Sequence, residues 1–366
     1  MKKNYIIVML IILIFSIHGC VKKNLIFKTI YLDKAFSIVP IVTILDEKNK
    51  IESVNLSEEL SNITNSLDEK FNVFKEKSLI SIVNKNAGII ETYVDDEFIF
   101  VLSEALKISQ ETIIEGKSLY DVSIFTIWKE WNFKDNYYQL DNYSKIPDDK
   151  IIKQKLPLVN YQDIIIDYEK KTVLLNKKEM MIDLGSIVKG YAADKISSYL
   201  KGKNFDNCLI DVGGNIITMG KNIGTNKKWK AGILMPFSFD TEIGYIETND
   251  IKETLVTSGI YERYLIYLDE NNNKIMYHHI LNPLTGYPEN NELTSVTIIT
   301  DKSISADGYS TAIFLMGLEE GLRFVNNNKS IEAIFITKQK EIYLSDNIKT
   351  RFIINEKIIN YGYKLI

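Results

Sequence analysis

The stretch Met181-Ile182-Asp183-Leu184-Gly185-Ser186-Ile187-Val188-Lys189-Gly190-Tyr191-Ala192-Ala193-Asp194 constrains this chain more than any other. It reads as a short apolar strand ending at Asp183, a sharp turn at Gly185 and a helix behind it. The first N–H groups of a helix have no partner within it. With Lys189 one turn in, such an end suits a phosphate. The same residues also suit an ordinary strand–helix junction with Asp183 as its cap.

The chain has 366 residues, 45% of them hydrophobic and 25% charged, as in ordinary folded proteins. A formal net charge of −4 leaves no basic footprint for nucleic acid. Residues 1–20 read as a leader: Lys2 and Lys3, an apolar run from Ile6 to Ile17, then His18-Gly19-Cys20. The run is short for a membrane span. A small residue directly before Cys resembles a bacterial lipobox, with Cys20 lipidated as the first mature residue. An uncleaved N-terminal anchor is the other reading, and both imply export. Cys208 is the second of two cysteines and sits in an apolar run, which predicts a buried, inert thiol.

Residues 21–35 read as a tether. The apolar run from Ile38 to Leu45 predicts a strand, with Pro40 at an edge or a strand start. Leu60, Ile63, Leu67, Phe71 and Phe74 have helical spacing, and Ser78 precedes a second short helix through Asn84. Residues 95–115 predict a third helix and 132–150, with Tyr137 and Tyr138, an exposed loop. Strands follow at Ile164–Ile166 and Thr172–Leu175. Asp211-Val212-Gly213-Gly214-Asn215 marks either a plain hairpin or a close approach of backbone to ligand. Thr294 to Thr300 predicts a strand and Ala306 onward an apolar helix.

On that last helix Asp307 and Thr311 lie four apart and share a face. A carboxylate and a hydroxyl so placed suit a hard cation, which takes few protein oxygens beside substrate phosphates. They equally suit a helix start.

The order of motifs carries a resemblance. Asp-Leu-Gly-x-x-x-Lys-Gly-Tyr-Ala stands at 183–192, Asp-Val-Gly-Gly-Asn at 211–215 and Thr-Ser-Gly-x-Tyr-x-Arg at 257–263. His-Ile-x-x-Pro-x-Thr-Gly-x-Pro follows at 279–288 and Ala-Asp-x-x-x-Thr-Ala at 306–312. Together they resemble the FAD:protein FMN transferases of the ApbE family, over roughly residues 36–350. The resemblance implies a mixed α/β fold over residues 36–366, with FAD in a cleft between two closely packed subdomains. It implies magnesium-dependent transfer of FMN from FAD to a Thr or Ser hydroxyl, with release of AMP. The target would be a flavoprotein subunit of a membrane redox complex, with a Ser/Thr-Gly-Ala-Thr-like acceptor sequence.

Carried over by motif, Asp307 and Thr311 would bind the metal, with the Ser186 carbonyl and a group at Ser310. Asp183 and Lys189 would hold FAD, Leu119, Tyr120 and Asp121 would line its pocket, and Leu281 would touch it. His279 would take the proton of the acceptor hydroxyl. The mature chain has only His278 and His279 to choose from. Three positions depart from the family pattern. Ile38-Val39-Pro40 replaces a Met-Gly-Thr run, Phe74 replaces a Tyr, and Asn282 replaces a carboxylate; Ile38 and Phe74 correspond to positions that touch FAD. Two other readings remain: an FAD pyrophosphatase with water as acceptor, and a flavin-binding surface lipoprotein without chemistry. The leader implies a protein lipid-anchored to the outer face of the cytoplasmic membrane, the periplasmic side where a second membrane exists.

Overall fold

The run Leu293–Thr300 is almost wholly β-branched, and in the computed structural model it forms a strand buried along nearly all its length. The structure describes residues 24–133, 146–238 and 240–366. The leader with Cys20, the start of the expected tether, and Tyr137 and Tyr138 lie outside the described residues.

That strand belongs to a nine-stranded sheet whose spatial order follows the chain. The strands are β1 (Leu25–Tyr31), β2 (Ile41–Glu47), β3 (Cys208–Asp211), β4 (Asn215–Met219) and β5 (Glu253–Gly259). They continue as β6 (Leu293–Thr300), β7 (Glu332–Thr337), β8 (Glu341–Leu344) and β9 (Lys364–Leu365). Neighbours are antiparallel except β8 and β9. Everything else is inserted between these strands.

One face carries helices. α1 (Leu56–Phe71), α2 (Leu79–Lys85), α3 (Asp96–Glu111) and α4 (Val188–Gly202) come between β2 and β3, and α5 (Ser303–Asn327) between β6 and β7. Leu67, Phe71, Phe98, Ile196 and Leu200 from the helices meet Val42, Ile44, Ile210, Val296 and Ile298 from the sheet. The opposite face is covered by a three-stranded sheet of Lys230–Leu234, Glu242–Glu247 and Phe352–Ile354. Its Ile233, Ile243 and Ile246 pack on Leu255, Ile299 and Ile334. A smaller cluster joins the helix Phe125–Trp131 to Phe133, Leu265 and Leu281. The mixed α/β expectation holds.

Four local expectations change. The segment 21–35 is not all tether, because Leu25–Tyr31 is β1 and pairs along its length with β2. β2 is therefore internal, and Pro40 stands just before it, where the missing N–H costs no ladder bond. The helix after Ala306 begins earlier, at Ser303. Its first N–H groups, at Ser303 and Ile304, donate at 3.1 and 2.9 Å to the Asp194 carboxylate of α4, a cap supplied from another element. The Gly213-Gly214 turn is a hairpin between β3 and β4, both glycines at positive φ.

The fourth concerns Met181–Asp183, which is extended but has no strand beside it. Side chains replace the ladder. The Asn84 amide donates to the Ile182 carbonyl at 2.9 Å and accepts from its N–H at 2.7 Å. The Thr126 hydroxyl serves both backbone groups of Met181, and the Val122 carbonyl accepts from the Asp183 N–H. Replacing Asn84 by Leu leaves two buried backbone groups unpaired, at roughly 1–3 kcal/mol each. Asn84→Leu is expected to lower the urea midpoint by an amount worth about 2–6 kcal/mol with an unchanged slope. An unshifted midpoint would show that water serves Ile182 equally well.

Candidate active site

α4 and α5 cross where α4 has a glycine. A Cβ on Gly190 would lie 2.1 Å from the Ser303 carbonyl oxygen and 2.9 Å from the Asp307 Cβ. Its absence lets the Asp307 carboxylate, 4% exposed, reach the first turn of α4. One Asp307 oxygen accepts from the Gly190 N–H at 2.9 Å, and the other lies 3.5 Å from the Lys189 ammonium. Gly190 is the third residue of α4, so its N–H is one of the helix's unpartnered donors, and Asp307 takes it up. The helix end expected to face a phosphate is partly occupied by this internal carboxylate.

Hydroxyls gather beside it. Ser310, fully buried, donates to the Asp307 carbonyl at 2.8 Å and lies 2.7 Å from the Ser258 hydroxyl of β5. Ser258 is in turn 3.3 Å from the Thr311 hydroxyl. Asp307, Thr311 and Ser258 form an all-oxygen donor set, the kind a hard cation such as magnesium takes. The residues fit such an ion; the Ser310 hydroxyl gives its proton to the Asp307 carbonyl and accepts from Ser258. Among the described residues no group of three or more His, Cys, Asp and Glu gathers to hold a metal. A site here therefore rests on hydroxyls and carbonyls beside one carboxylate.

Asp183 closes the turn before α4 by accepting from the Gly185 N–H at 3.0 Å, so it caps the turn and not the helix. Burial raises its pKa to about 6, opposed by that hydrogen bond and by Arg263. Tyr120 bonds the Ser186 hydroxyl at 2.8 Å, and burial raises its pKa. That contact fixes the loop that carries Ser186.

His279 follows the strand Lys274–His278. Both its backbone N–H and its Nδ1 point at the Arg263 carbonyl, at 3.0 and 3.1 Å. A carbonyl only accepts, so Nδ1 carries the proton and Nε2 keeps a free lone pair. Crowding by protein and the Arg263 guanidinium push the His279 pKa down to about 3, so the ring is neutral at physiological pH. His278 is turned away, its Nε2 at 2.8 Å from the Glu289 carbonyl. Lys189 and Arg263 act electrostatically on His279, Arg263 on Asp183, and Asp183 and Asp307 on Tyr120. Residues singled out from three of the five motifs thus share one field with Tyr120 and with Arg263 of a fourth.

Aromatic surface borders His279. Trp128 donates to the His279 carbonyl at 3.2 Å and stacks on Phe125. Phe74, 46% exposed, meets both rings at 6.3 Å. Ile38 lies over Gly213, joining the turn at 36–37 to the β3–β4 turn. Leu119 and Leu281 are core residues of two different clusters. Both oxygens of Asp121 are engaged, with Ser123 and with the Tyr161 N–H, so it caps a 3-10 turn. Asn282 accepts from the Leu284 N–H and donates to Glu289 at 2.6 Å. A carboxylate at 282 could not make that second bond. Ser258 and Arg263 have no role in the sequence reading, although Thr257-Ser258-Gly259 and Arg263 stand in one of its motifs. Cys208 is buried with its pKa pushed up to about 12, an inert thiol as expected.

Residues 37–335 match the sequence model of the ApbE family. An FAD:protein FMN transferase of Klebsiella pneumoniae is 37% identical over 60% of this chain, which spans 65% of that relative, just under two thirds. One from Treponema pallidum is 27% identical over 76% of this chain and 75% of its own. The crystal structure of the ApbE protein of Thermotoga maritima superposes with a TM-score of 0.75 at 26% identity, covering 89% of this chain and 99% of that one.

Asp183 makes stability depend on pH. Its folded pKa, about 6, exceeds the unfolded value near 3.9, so the folded state holds the proton between them. The stability this group contributes is full below about pH 4 and is lost as pH rises through about 6. Measured in chelator, Asp183→Asn is expected to flatten the pH dependence between about 4 and 6 and to gain on the order of 2 kcal/mol at neutral pH. An unchanged slope in urea titrations would sink the assignment.

Proposed function

The chain belongs to the ApbE family, and from that premise we propose that it transfers FMN from FAD to a hydroxyl of a target protein. The acceptor is a Thr or Ser in a Ser/Thr-Gly-Ala-Thr-like sequence of a membrane redox subunit, and AMP leaves. The observation that carries this is the orientation of His279, a neutral ring with Nδ1 committed to the Arg263 carbonyl and Nε2 free.

In the step itself the acceptor oxygen bonds to the FMN phosphorus and the bridging P–O bond breaks. The electron pair leaves on AMP, and the hydroxyl proton passes to His279 Nε2. His279 is a weak base beside two cations, and the two negative charges of FAD's pyrophosphate raise its basicity. Lys189 can turn from Asp307 to that pyrophosphate. Asp307, Thr311 and Ser258, with the Ser186 carbonyl, would hold magnesium, which when bound stabilises charge on the phosphoryl oxygens as a Lewis acid. Phe74, Phe125 and Trp128 offer rings for the flavin or adenine. Asp183, Tyr120, Leu119, Asp121, Leu281 and Ile38 shape the FAD side. Export, with lipid on Cys20, completes the reading.

The test incubates the full chain with FAD, magnesium and an acceptor bearing that sequence, and follows acceptor mass and AMP. One added FMN per acceptor, with equal AMP, is expected. His279→Gln should slow transfer by about 10²–10⁴-fold with FAD binding retained, and Asp307→Ala should abolish it. AMP and free FMN beside unmodified acceptor would make the protein a pyrophosphatase. Bound FAD with no AMP would leave a flavin-binding lipoprotein.

A further inference from the structure

We propose that the outward face of the β1 edge, with the lysine loop below Trp229, rests on an anionic lipid surface. The inference builds on the lipid-anchor reading above and would fall with it, independently of flavin transfer.

The first observation is the length of chain between Cys20 and the sheet. Asn24 is already fixed, its carbonyl accepting from the Lys48 N–H at 3.0 Å, and β1 begins at the next residue. Four residue steps reach at most about 14 Å. A lipidated Cys20 therefore holds this corner of the protein within about one or two headgroup layers of the bilayer. A tether reaching residue 35 would have let the body turn freely; the strand at 25–31 removes that freedom. Lys22 and Lys23 stand in the short connection.

The second observation is what the corner presents. Along β1 the outward side carries Leu25, Phe27, Thr29 and Tyr31, with Phe27 57% and Tyr31 67% exposed. The Phe27 ring meets Trp229 edge-on at 6.4 Å. Trp229 lines a recess of about 500 Å³ together with Lys227, Lys228 and Lys230, all three exposed. Glu247 is the carboxylate in that recess, and Glu47 stands opposite Leu25 across the β1–β2 ladder. In a chain with a net charge of −4, this is a local excess of positive charge. Trp229 itself is buried, and the exposed rings are Phe27, which leans on it, and Tyr31. Exposed rings with lysines beside them suit the headgroup level of a bilayer, where rings sit at the interface and ammonium groups meet lipid phosphates.

The two observations are independent, since one fixes where the bilayer must be and the other which surface meets it. Docked so, the body has a set orientation to the membrane in which its proposed acceptor lies.

The test uses the full lipidated chain in detergent, in phosphatidylcholine vesicles and in vesicles that also contain phosphatidylglycerol. Lysine acetylation is read by mass spectrometry, and flavin transfer is assayed on the same samples. Labelling of Lys227, Lys228 and Lys230 should be lost on phosphatidylglycerol vesicles and restored by salt or by omitting that lipid. The exposed triple variant Lys227→Glu, Lys228→Glu, Lys230→Glu should keep transfer activity in detergent and leave Phe27 and Tyr31 open on those vesicles to hydroxyl-radical oxidation, from which the unaltered chain protects them. Equal labelling in detergent and on vesicles that carry the protein would overturn the docking. So would protection that grows with protein concentration in detergent, which points to a second copy. Failure to float with vesicles would remove anchor and docking together and leave any transfer activity standing.

Discussion

The bond from the Gly190 N–H to the Asp307 carboxylate is what the rest of this site depends on. It joins the first turn of α4 to the interior of α5, two helices separated by more than a hundred residues. It requires that position 190 carry no side chain, because a Cβ there would fall inside the Ser303 carbonyl. A buried carboxylate needs donors and an opposite charge; the Gly190 amide and Lys189 supply both. The Asp194 cap on Ser303 and Ile304 lies one turn along the same crossing. One helix contact thus fixes the register of α5 and the position of Asp307 and Thr311.

The same contact sets a balance of charge. Lys189 neutralises Asp307 here, yet the proposed chemistry needs that carboxylate for a cation and that ammonium for a phosphate. Both needs are met by one exchange, in which the partners part and each takes a stronger counter-charge. A surface pair could part as easily, but it would not be held to a fixed spot. Burial on one side and partial exposure of Lys189 on the other give a pair that is placed and still exchangeable.

Much of the fold was legible because its elements satisfy themselves locally. α1, α2 and the hairpin Ile164–Asp167/Thr172–Leu175 carry their own periodicity and caps, Ser78 among them. What was not legible depends on distant partners. Nothing near Ser303 announces a helix start, because its cap is Asp194. Met181–Asp183 has the composition of a strand, but Asn84 and Thr126 stand where a neighbouring strand would. Around the candidate site, Asp307, Thr311, Asp183, Lys189 and His279 stand out in the sequence as residue types suited to the proposed phosphoryl transfer, set in ordered motifs. Ser258 and Arg263 do not, since one acts through a hydroxyl contact and the other through a backbone carbonyl. A carbonyl leaves no mark on residue type, and the hydroxyl contact joins residues distant in sequence. The Asn at 282 read as a lost charge, and in three dimensions it is a gained donor to Glu289.

β1 shows how a small misreading of sequence changes a functional picture. Leu25-Ile26-Phe27-Lys28-Thr29-Ile30-Tyr31 alternates only weakly, since Leu25, Phe27 and Tyr31 of its outward side are apolar or aromatic while Lys28 is on the other side, and an exposed edge strand is expected to be polar. Its inward Ile30 is buried and its outward Phe27 and Tyr31 are not. On an isolated soluble body those rings would be a liability for edge-to-edge association. Beside the proposed lipid anchor they would have a use, and the lysines around Trp229 would give the surface a preference for one kind of lipid. On that proposal the weak alternation and the shortness of the tether have one cause, a corner of the sheet shaped for a second medium.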